Sequence, residues 1–162
     1  MQPDLVLELL LLLLLANGTP VIAKRILGRR CSQPLDGDLE FADGQPLLGR
    51  SKTIRGVLLA ILVTTAGSEL IGLGWRVGFL VGSFAMVGDL VSSFVKRRLG
   101  MPSSSQAIGL DQLPESLFPL LASRMVLPVT PADIVVCAVL FFVGEILLSR
   151  LLFALRLRDR PY

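Results

Sequence analysis

Histidine is absent from this 162-residue chain, and cysteine occurs only twice. The first absence excludes catalysis by a histidine side chain. Cys31 lies in a basic loop and Cys137 in an apolar stretch far along the chain, so neither a disulfide framework nor a zinc site is indicated. Lysine and arginine are also absent before the first apolar run, and no small-residue cleavage site follows it. We therefore expect this run to be retained as a helix rather than removed as a signal peptide.

Apolar residues dominate the composition. Hydrophobic residues make up 52% of the chain, and the mean hydropathy is +0.70, which is too apolar for an ordinary soluble domain. We expect residues 1–162 to form a single all-α integral membrane domain, a bundle of about five transmembrane helices with two long cytoplasmic loops. The predicted spans are residues 5–23, 54–73, 77–98, 113–129 and 132–155, and the predicted loops are residues 24–53 and 99–112.

The positions of the basic residues predict an orientation. The net charge of +3 would suit nucleic acid, but almost all cations flank one set of span ends, so we expect no nucleic-acid partner. Lysine and arginine mark the cytoplasmic side of a membrane protein. We therefore expect a multi-pass plasma (inner) membrane protein with its N-terminus outside and its C-terminus in the cytoplasm. Only Arg76 flanks the outer side; the cytoplasmic set is Lys24, Arg25, Arg29, Arg30, Arg50, Lys52, Arg55, Lys96, Arg97, Arg98, Arg156, Arg158 and Arg160.

The segment 88–98 carries the strongest functional signal, because it places a carboxylate inside an apolar run. Acids in membrane spans are costly, and they usually face a bundle interior or a wet cavity. At 3.6 residues per turn, Asp89, Ser92, Ser93 and Lys96 share one helix face. Such a face could hold a metal ion at one level and a phosphate one or two turns away. The alternative is that Asp89 forms a structural ion pair within the bundle.

A second pair of acids lies at the start of the fourth run. Asp111 and Glu115 are four residues apart, so both carboxylates can face one point. Mg²⁺ prefers such oxygen ligands and usually keeps waters and substrate phosphates as further ligands. The remaining acids of the spans are expected to form structural pairs; they are Glu8, Glu69 and Glu145, with Arg124 or Arg150 as candidate partners.

The segment 44–53 is close to a phosphate-binding P-loop but departs from it. Arg50-Ser51 stands where Lys-Ser or Lys-Thr should follow the second glycine, and no strand precedes the loop, so a Walker fold is rejected. What remains is a glycine-bracketed loop that ends in Lys52 and Arg55, both suitable donors for phosphate oxygens. The alternative is that these cations only anchor the chain at the membrane surface.

Five motifs occur in order over nearly the whole chain, at residues 16–20, 34–36, 43–56, 88–98 and 110–112. Together they resemble the ordered motifs of the CDP-archaeol synthase family, and the Gly-Asp…Ser…Lys-Arg part also resembles the signature of the CDP-diacylglycerol synthases. Members of the family are integral membrane cytidylyltransferases, commonly with five spans. They use CTP and Mg²⁺ to activate a lipid phosphate.

The resemblance implies a role for each matching residue. The implied metal ligands are Asp89 and Asp111, and the helical spacing described above adds Glu115 as a candidate. Lys52, Arg55, Lys96 and Arg97 are implied to hold phosphates, and Asn17 and Pro20 to lie near the nucleotide or lipid end of the cavity. Three more candidates for nucleotide and phosphate binding come from position in the sequence: Thr53 beside Lys52, and Ser92 and Ser93 on the Asp89 face. Asp89, Lys96 and Lys52 are the implied catalytic residues. This chain has Leu113-Pro114-Glu115 where the family often has an aspartate soon after Asp-Gln, and it lacks the fuller glycine-rich element of the diacylglycerol enzymes, which favours the archaeol branch.

The implied function is transfer of the cytidylyl group of CTP to an archaetidic-type lipid phosphate or to phosphatidic acid. A lipid phosphate is already ionised near neutral pH, so this chemistry needs no general base and suits a chain without histidine. Two alternatives stay open: a CTP-dependent polyprenol or lipid kinase, and a non-catalytic protein that binds anionic lipids. Gly78, Gly82 and Gly88 would allow close helix packing, either within the chain or in a homodimer.

Overall fold

The computed structural model describes residues 1–28 and 30–154, and this part of the chain is helical. The helices are α1 (Pro3–Leu27), α2 (Ile54–Leu70), α3 (Trp75–Arg98), α4 (Gln112–Ser123) and α5 (Pro131–Ala154). They confirm the expected all-α fold. Isolated bridges occur only in the loop between α1 and α2, within the described range. The predicted end of the fifth span at residue 155 lies outside the described residues, as do Arg29, Arg156, Arg158 and Arg160.

Within the described residues, three stretches are long and apolar enough to cross a membrane: α1, α3 and residues Pro131–Arg150 of α5. Helix α2 has 17 residues, a rise of about 26 Å at 1.5 Å per residue. Helix α4 has 12 residues and rises only about 18 Å, against a hydrocarbon core of about 30 Å. It ends six residues before the predicted boundary at 129. The chain turns after Ser123, and Pro128 follows, which cannot continue a helical hydrogen-bond ladder.

Helix α1 continues through Asn17-Gly18-Thr19-Pro20 and ends four residues beyond the predicted boundary at 23. Asn17 donates to the Leu13 carbonyl at 3.0 Å, and Thr19 donates to the Leu15 carbonyl at 2.6 Å, so both polar side chains bond back to their own helix. Pro20 lies inside the helix. The helix therefore reaches the basic residues of its last turn, where positive charge is favourable.

Helix α3 packs against α1, α2 and α4, and three of its glycines set the approach of its neighbours. A Cβ atom at Gly78 would lie 2.5 Å from the Thr64 carbonyl oxygen of α2, and one at Gly82 would lie 3.1 Å from the Ile61 Cα atom. A Cβ atom at Gly88 would lie 2.2 Å from the Pro114 carbonyl oxygen. These glycines thus support packing within the chain, and Gly88 brings α4 directly onto α3.

Candidate active site

Two polar loops meet at one end of the bundle, the α1–α2 loop (residues 28–53) and the α3–α4 loop (residues 99–111). A Cβ atom at Gly49 would lie 2.9 Å from Ser103 Oγ and 3.7 Å from Arg97 Cδ. The Ser51 and Ser103 hydroxyl oxygens are 3.3 Å apart. Gly49 has a φ of +88°, a conformation that side chains with a Cβ rarely adopt. This glycine therefore lets the two loops close over Arg97.

The first charged pair joins the α1–α2 loop to α3. Lys52 Nζ lies 2.5 Å from Asp89 Oδ1, and each side chain keeps 19% of its surface exposed. Lys52 is fixed through its backbone, because its carbonyl accepts a hydrogen bond from Leu35 at 2.8 Å. Residues 37 positions apart thus form one ion pair, partly open to solvent.

Two further carboxyl groups lie beside this pair. Glu115 of α4 is in hydrogen-bonding contact with Asp89, and Glu145 of α5 is close enough to Glu115 to interact with it electrostatically. We call Asp89, Glu115 and Glu145 the acidic cluster. Lys52 also interacts with Glu115, so this lysine faces carboxyl groups from two helices, α3 and α4. Sequence reasoning assigned Glu145 only a structural role, because its proximity to Glu115 depends on how α5 packs on α4.

The second charged pair lies about two turns along α3. Lys96 Nζ is 2.6 Å from Asp111 Oδ1 and donates to the Ser105 carbonyl at 2.8 Å. The other oxygen of Asp111 accepts the Ala107 backbone N–H at 2.8 Å. Both members of the pair are buried. Lys96 therefore holds the α3–α4 loop, and Asp111 holds Lys96.

Arg97 is the most buried cation of the site. It is only 4% exposed, and its Nε atom has no hydrogen-bond partner among the described residues. Asp111 supplies favourable electrostatic contact. Buried polar groups are normally hydrogen-bonded, and a guanidinium group matches the geometry of phosphate oxygens. Arg97 is therefore suited to accept an anion beneath the two loops.

Four of the predicted phosphate-binding residues make structural contacts. Arg55 donates to the Gly28 carbonyl at 3.3 Å and to the Arg30 carbonyl, which ties the start of the loop to α2. Thr53 caps α2 by accepting the Gly56 N–H at 3.1 Å. The other two are in α1 and α3: Asn17 bonds within α1, and Ser92 donates to the Gly88 carbonyl at 2.9 Å.

Pro20 and Ser93 complete the predicted set. Pro20 lies near the start of α2, with its Cβ atom 3.5 Å from the position of a Cβ at Gly56. Ser93 is buried on α3.

The site brings together Lys52, Asp89 and Glu115 at one level and Lys96, Arg97 and Asp111 at another.

The carboxylates of the site are arranged as pairs rather than as a closed metal cage. Among the described residues, no group of three acidic or thiol side chains has the geometry of a metal site. Asp111 pairs with Lys96, whereas Glu115, one turn later, contacts Asp89. Mg²⁺ is commonly held by one or two carboxylates together with waters and substrate phosphates. The carboxyl groups of Asp89 and Glu115 therefore fit this ion once the Lys52 ammonium group moves away from Asp89.

Asp36 organises the α1–α2 loop, a role that sequence reasoning did not assign. Its carboxylate accepts the backbone N–H groups of Leu48 at 2.9 Å, Gly49 at 3.0 Å and Asp38 at 3.2 Å. Burial acts to raise the pKa of Asp36, but the backbone hydrogen bonds together outweigh it and hold the pKa below its ordinary value of 3.8. The Asp-Gly turn at this position was the available signal, but the bonds to residues twelve positions later were not predictable.

Replacing Asp36 with Asn is expected to loosen the loop that carries Lys52. Hydrogen bonds to a charged group contribute about 1.5–3 kcal/mol each, and Asn retains only one acceptor oxygen. Because the folded pKa lies below the unfolded value, the stabilisation is complete above about pH 3.8 and is lost as the pH falls through the folded pKa. Hydrogen exchange at Leu48 and Gly49 should be faster in D36N at pH 7, and the variant should lack the acid-dependent loss of protection expected of the wild type. Equal exchange rates at pH 7 would contradict this role.

Comparison with known proteins places these features in a family context. The sequence profile of a family described as CarS-like, CDP-archaeol synthase, matches residues 71–162. The CDP-archaeol synthase of Sulfurisphaera tokodaii is 34% identical over 157 residues, which covers 92% of this chain and 90% of the relative. That of Thermofilum pendens is 35% identical over 153 residues, covering 91% and 75%. A solved structure of an intramembrane enzyme for archaeal membrane lipid biosynthesis superimposes with a TM-score of 0.76 and 31% identity, covering 88% of this chain and 90% of the other.

Proposed function

The chain belongs to the CDP-archaeol synthase family, and we propose that it transfers the cytidylyl group of CTP to a membrane lipid phosphate and releases pyrophosphate. The observation that carries this proposal is the set of cations at the end of the bundle where the two polar loops meet, Lys52, Lys96 and Arg97, each beside a carboxylate. The product would be a CDP-activated lipid for phospholipid biosynthesis.

The reaction needs charge stabilisation more than proton transfer. An oxygen of the lipid phosphate forms a bond to the α-phosphorus of CTP, while the bond from that phosphorus to the β-phosphate oxygen breaks and pyrophosphate leaves with the electron pair. Two anions must approach, and negative charge grows on the leaving group. Lys52, Lys96 and Arg97 are placed to hold the phosphates and to reduce this repulsion. The absence of histidine is no obstacle, because the nucleophile is already ionised.

We further propose that Asp89 and Glu115 would hold Mg²⁺ at the level of Lys52, with Asp111 as a candidate metal ligand at the level of Lys96. The ion would neutralise phosphate charge and help to position the triphosphate. In the structure, Lys52 lies against Asp89 and Lys96 against Asp111. The same lysines are therefore available to the phosphates once the carboxylates have another partner.

Replacing Lys52 with Met should have opposite effects on metal and nucleotide binding. Without the ammonium group 2.5 Å from Asp89, no lysine competes with a metal ion for this carboxylate, so Mn²⁺ used as a probe should bind about tenfold more tightly in the absence of CTP. CTP should bind about tenfold more weakly, because a charged phosphate contact is lost. Electron paramagnetic resonance of free Mn²⁺ measures the first effect, and a CTP titration measures the second. The matched control is Arg50→Met, an exposed cation of the same loop; weaker Mn²⁺ binding in K52M would refute competition.

The position of a label in CTP decides between the candidate reactions. Purified protein in detergent is incubated with Mg²⁺ and either a lipid phosphate or a lipid alcohol, using CTP labelled either at the α- or at the γ-phosphate. Cytidylyl transfer places only the α-label in the lipid, whereas a CTP-dependent kinase acting on a lipid alcohol places only the γ-label there. A non-catalytic lipid-binding protein labels no lipid and binds no CTP. Parallel reactions with ether-linked and ester-linked lipid phosphates identify the acceptor.

We also propose that the site faces the cytoplasm, with the N-terminus outside and the C-terminus inside the plasma membrane. Cys31 is exposed in the α1–α2 loop, and Cys137 is buried in α5, so one thiol reports on this loop. A membrane-impermeant maleimide should label Cys31 only after the cells are opened. Arg76→Cys in a Cys31→Ser background is the control for the opposite face and should be labelled in intact cells. Labelling of Cys31 in intact cells would reverse the proposed orientation.

A further inference from the structure

Arg98, the last residue of α3, binds the tip of the α1–α2 loop. Its guanidinium donates to Asp43 Oδ1 at 2.8 Å, to the Pro46 carbonyl at 2.6 Å and to the Gln45 carbonyl at 3.3 Å. These acceptors belong to one turn, residues 41–46, which we call the loop turn. One side chain therefore makes three bonds to a segment more than fifty positions earlier in the chain.

Two aromatic rings complete the contact. The guanidinium carbon of Arg98 lies 4.7 Å from the ring centroid of Phe41 in the loop turn and 5.0 Å from that of Phe94 in α3. The rings themselves meet edge to face, with centroids 5.4 Å apart. A planar guanidinium can stack on rings and donate in a fork at the same time, whereas a lysine ammonium cannot reproduce both contacts. This geometry is specific to arginine.

The loop turn is a small hydrogen-bonded unit that leads directly into the site. Phe41 N–H bonds to the Gln45 carbonyl, and Leu47 N–H bonds to the Leu39 carbonyl, both at 2.8 Å. The backbone bonds to Asp36 follow at once, and Lys52 comes a few residues later. Because the intervening segment is short and hydrogen-bonded, the position of the loop turn on α3 determines the position of Lys52.

We propose that Arg98 is a positioning residue for nucleotide binding: it docks the loop turn on the end of α3 and so sets the place from which Lys52 meets the triphosphate. The ligand's identity rests on the function proposed above. In the described part of the chain, the hydrogen bonds of Arg98 go to the loop turn, and none goes to the acidic cluster or to Asp111. Its effect on the nucleotide is therefore exerted through the loop.

Hydrogen exchange and CTP binding, measured on the same Arg98 variants of the full-length protein in detergent, test this proposal. Arg98→Gln should speed exchange at the Phe41 and Leu47 amides about tenfold, since local opening governs their protection. The same variant should weaken CTP binding about fivefold and raise the KM for CTP with little change in kcat. Arg98→Lys should fall between the wild type and R98Q. Arg50→Gln is the matched control: it removes an arginine from the same loop whose side chain is 81% exposed, and neither quantity should change.

A double-mutant cycle separates positioning from direct contact. If Arg98 acts through the loop turn, Asp43→Asn should weaken CTP binding in the wild type but add little in the R98Q background. Additive losses would mean that Asp43 and Arg98 act separately, and weaker CTP binding without faster loop exchange would mean that Arg98 touches the nucleotide. Either result would overturn the proposal. Faster exchange with unchanged CTP affinity would overturn it as well. A wild-type protein that binds no CTP would defeat the proposed function, whereas the exchange data would still decide whether Arg98 docks the loop turn.

Discussion

Replacing Asp89 with Asn is expected to lower the rate of CDP-lipid formation by about a thousandfold or more. Asp89 contacts both Lys52 and Glu115, so it links the α1–α2 loop to α4. Asn has almost the same shape but carries no charge, so it neither neutralises Lys52 nor serves well as a Mg²⁺ ligand. Losing one preorganised charge at the reacting phosphates removes about 4 kcal/mol of transition-state stabilisation, which corresponds to a factor of about a thousand.

The D89N result is informative only if the variant remains folded. Thermal unfolding in detergent should shift by a few degrees, because the ion pair is partly open to solvent and such pairs contribute modestly to stability. Mn²⁺ binding should weaken in parallel with activity. Asp38→Asn, which removes an exposed carboxylate paired with Arg50, is the matched control and should behave as the wild type. A folded D89N protein with near-normal activity would defeat the assignment of Asp89 to the metal and to catalysis.

The shared helix face of the α3 site residues could be predicted, because the spacing of residues along the sequence determines which of them lie on the same side of a helix. Asp89 and Lys96 are seven residues apart, so any helix through them places both on one face, and the structure gives each an ionic partner. The hydropathy of the chain likewise predicted a helical membrane protein. Helical periodicity does not predict which residue of another element will pair with Asp89 or Lys96. Lys52 meets Asp89 and Lys96 meets Asp111 only because the α2, α3 and α4 ends and their loops converge.

The two cations of the α1–α2 loop illustrate the limit of sequence spacing. Lys52 and Arg55 are three residues apart, and sequence reasoning assigned both to phosphate binding. The cap of α2 at Thr53 lies between them, so the backbone is extended before it and helical after it. Lys52 accordingly reaches Asp89, whereas Arg55 bonds to the carbonyls of Gly28 and Arg30. When a helix begins between two residues, their spacing no longer predicts whether their side chains point the same way. The tertiary structure then decides where each side chain lies.

Gly88→Ala is expected to cause the largest structural damage of any one-carbon change near the site. In an isolated helix this substitution would stabilise by nearly 1 kcal/mol. Here the new Cβ would lie 2.2 Å from the Pro114 carbonyl oxygen, 2.5 Å from its carbonyl carbon and 2.8 Å from the Glu115 nitrogen. All three are backbone atoms, so α4 itself must move. Overpacking of this kind costs about 1–3 kcal/mol, and a shift of about 1 Å at Glu115 lowers activity about a hundredfold.

Two other glycines separate the loss of stability from the loss of the site. A Cβ at Gly78 would lie 2.5 Å from the Thr64 carbonyl oxygen, near the other end of α3, whereas a Cβ at Gly144 meets nothing within 4 Å. Gly78→Ala should therefore lower the unfolding temperature about as much as G88A while the surviving folded protein keeps its activity per molecule. Gly144→Ala should be neutral or slightly stabilising. If G88A and G78A lost activity equally per folded molecule, the close approach of α4 at Gly88 would serve the bundle as a whole rather than the contact between Glu115 and Asp89.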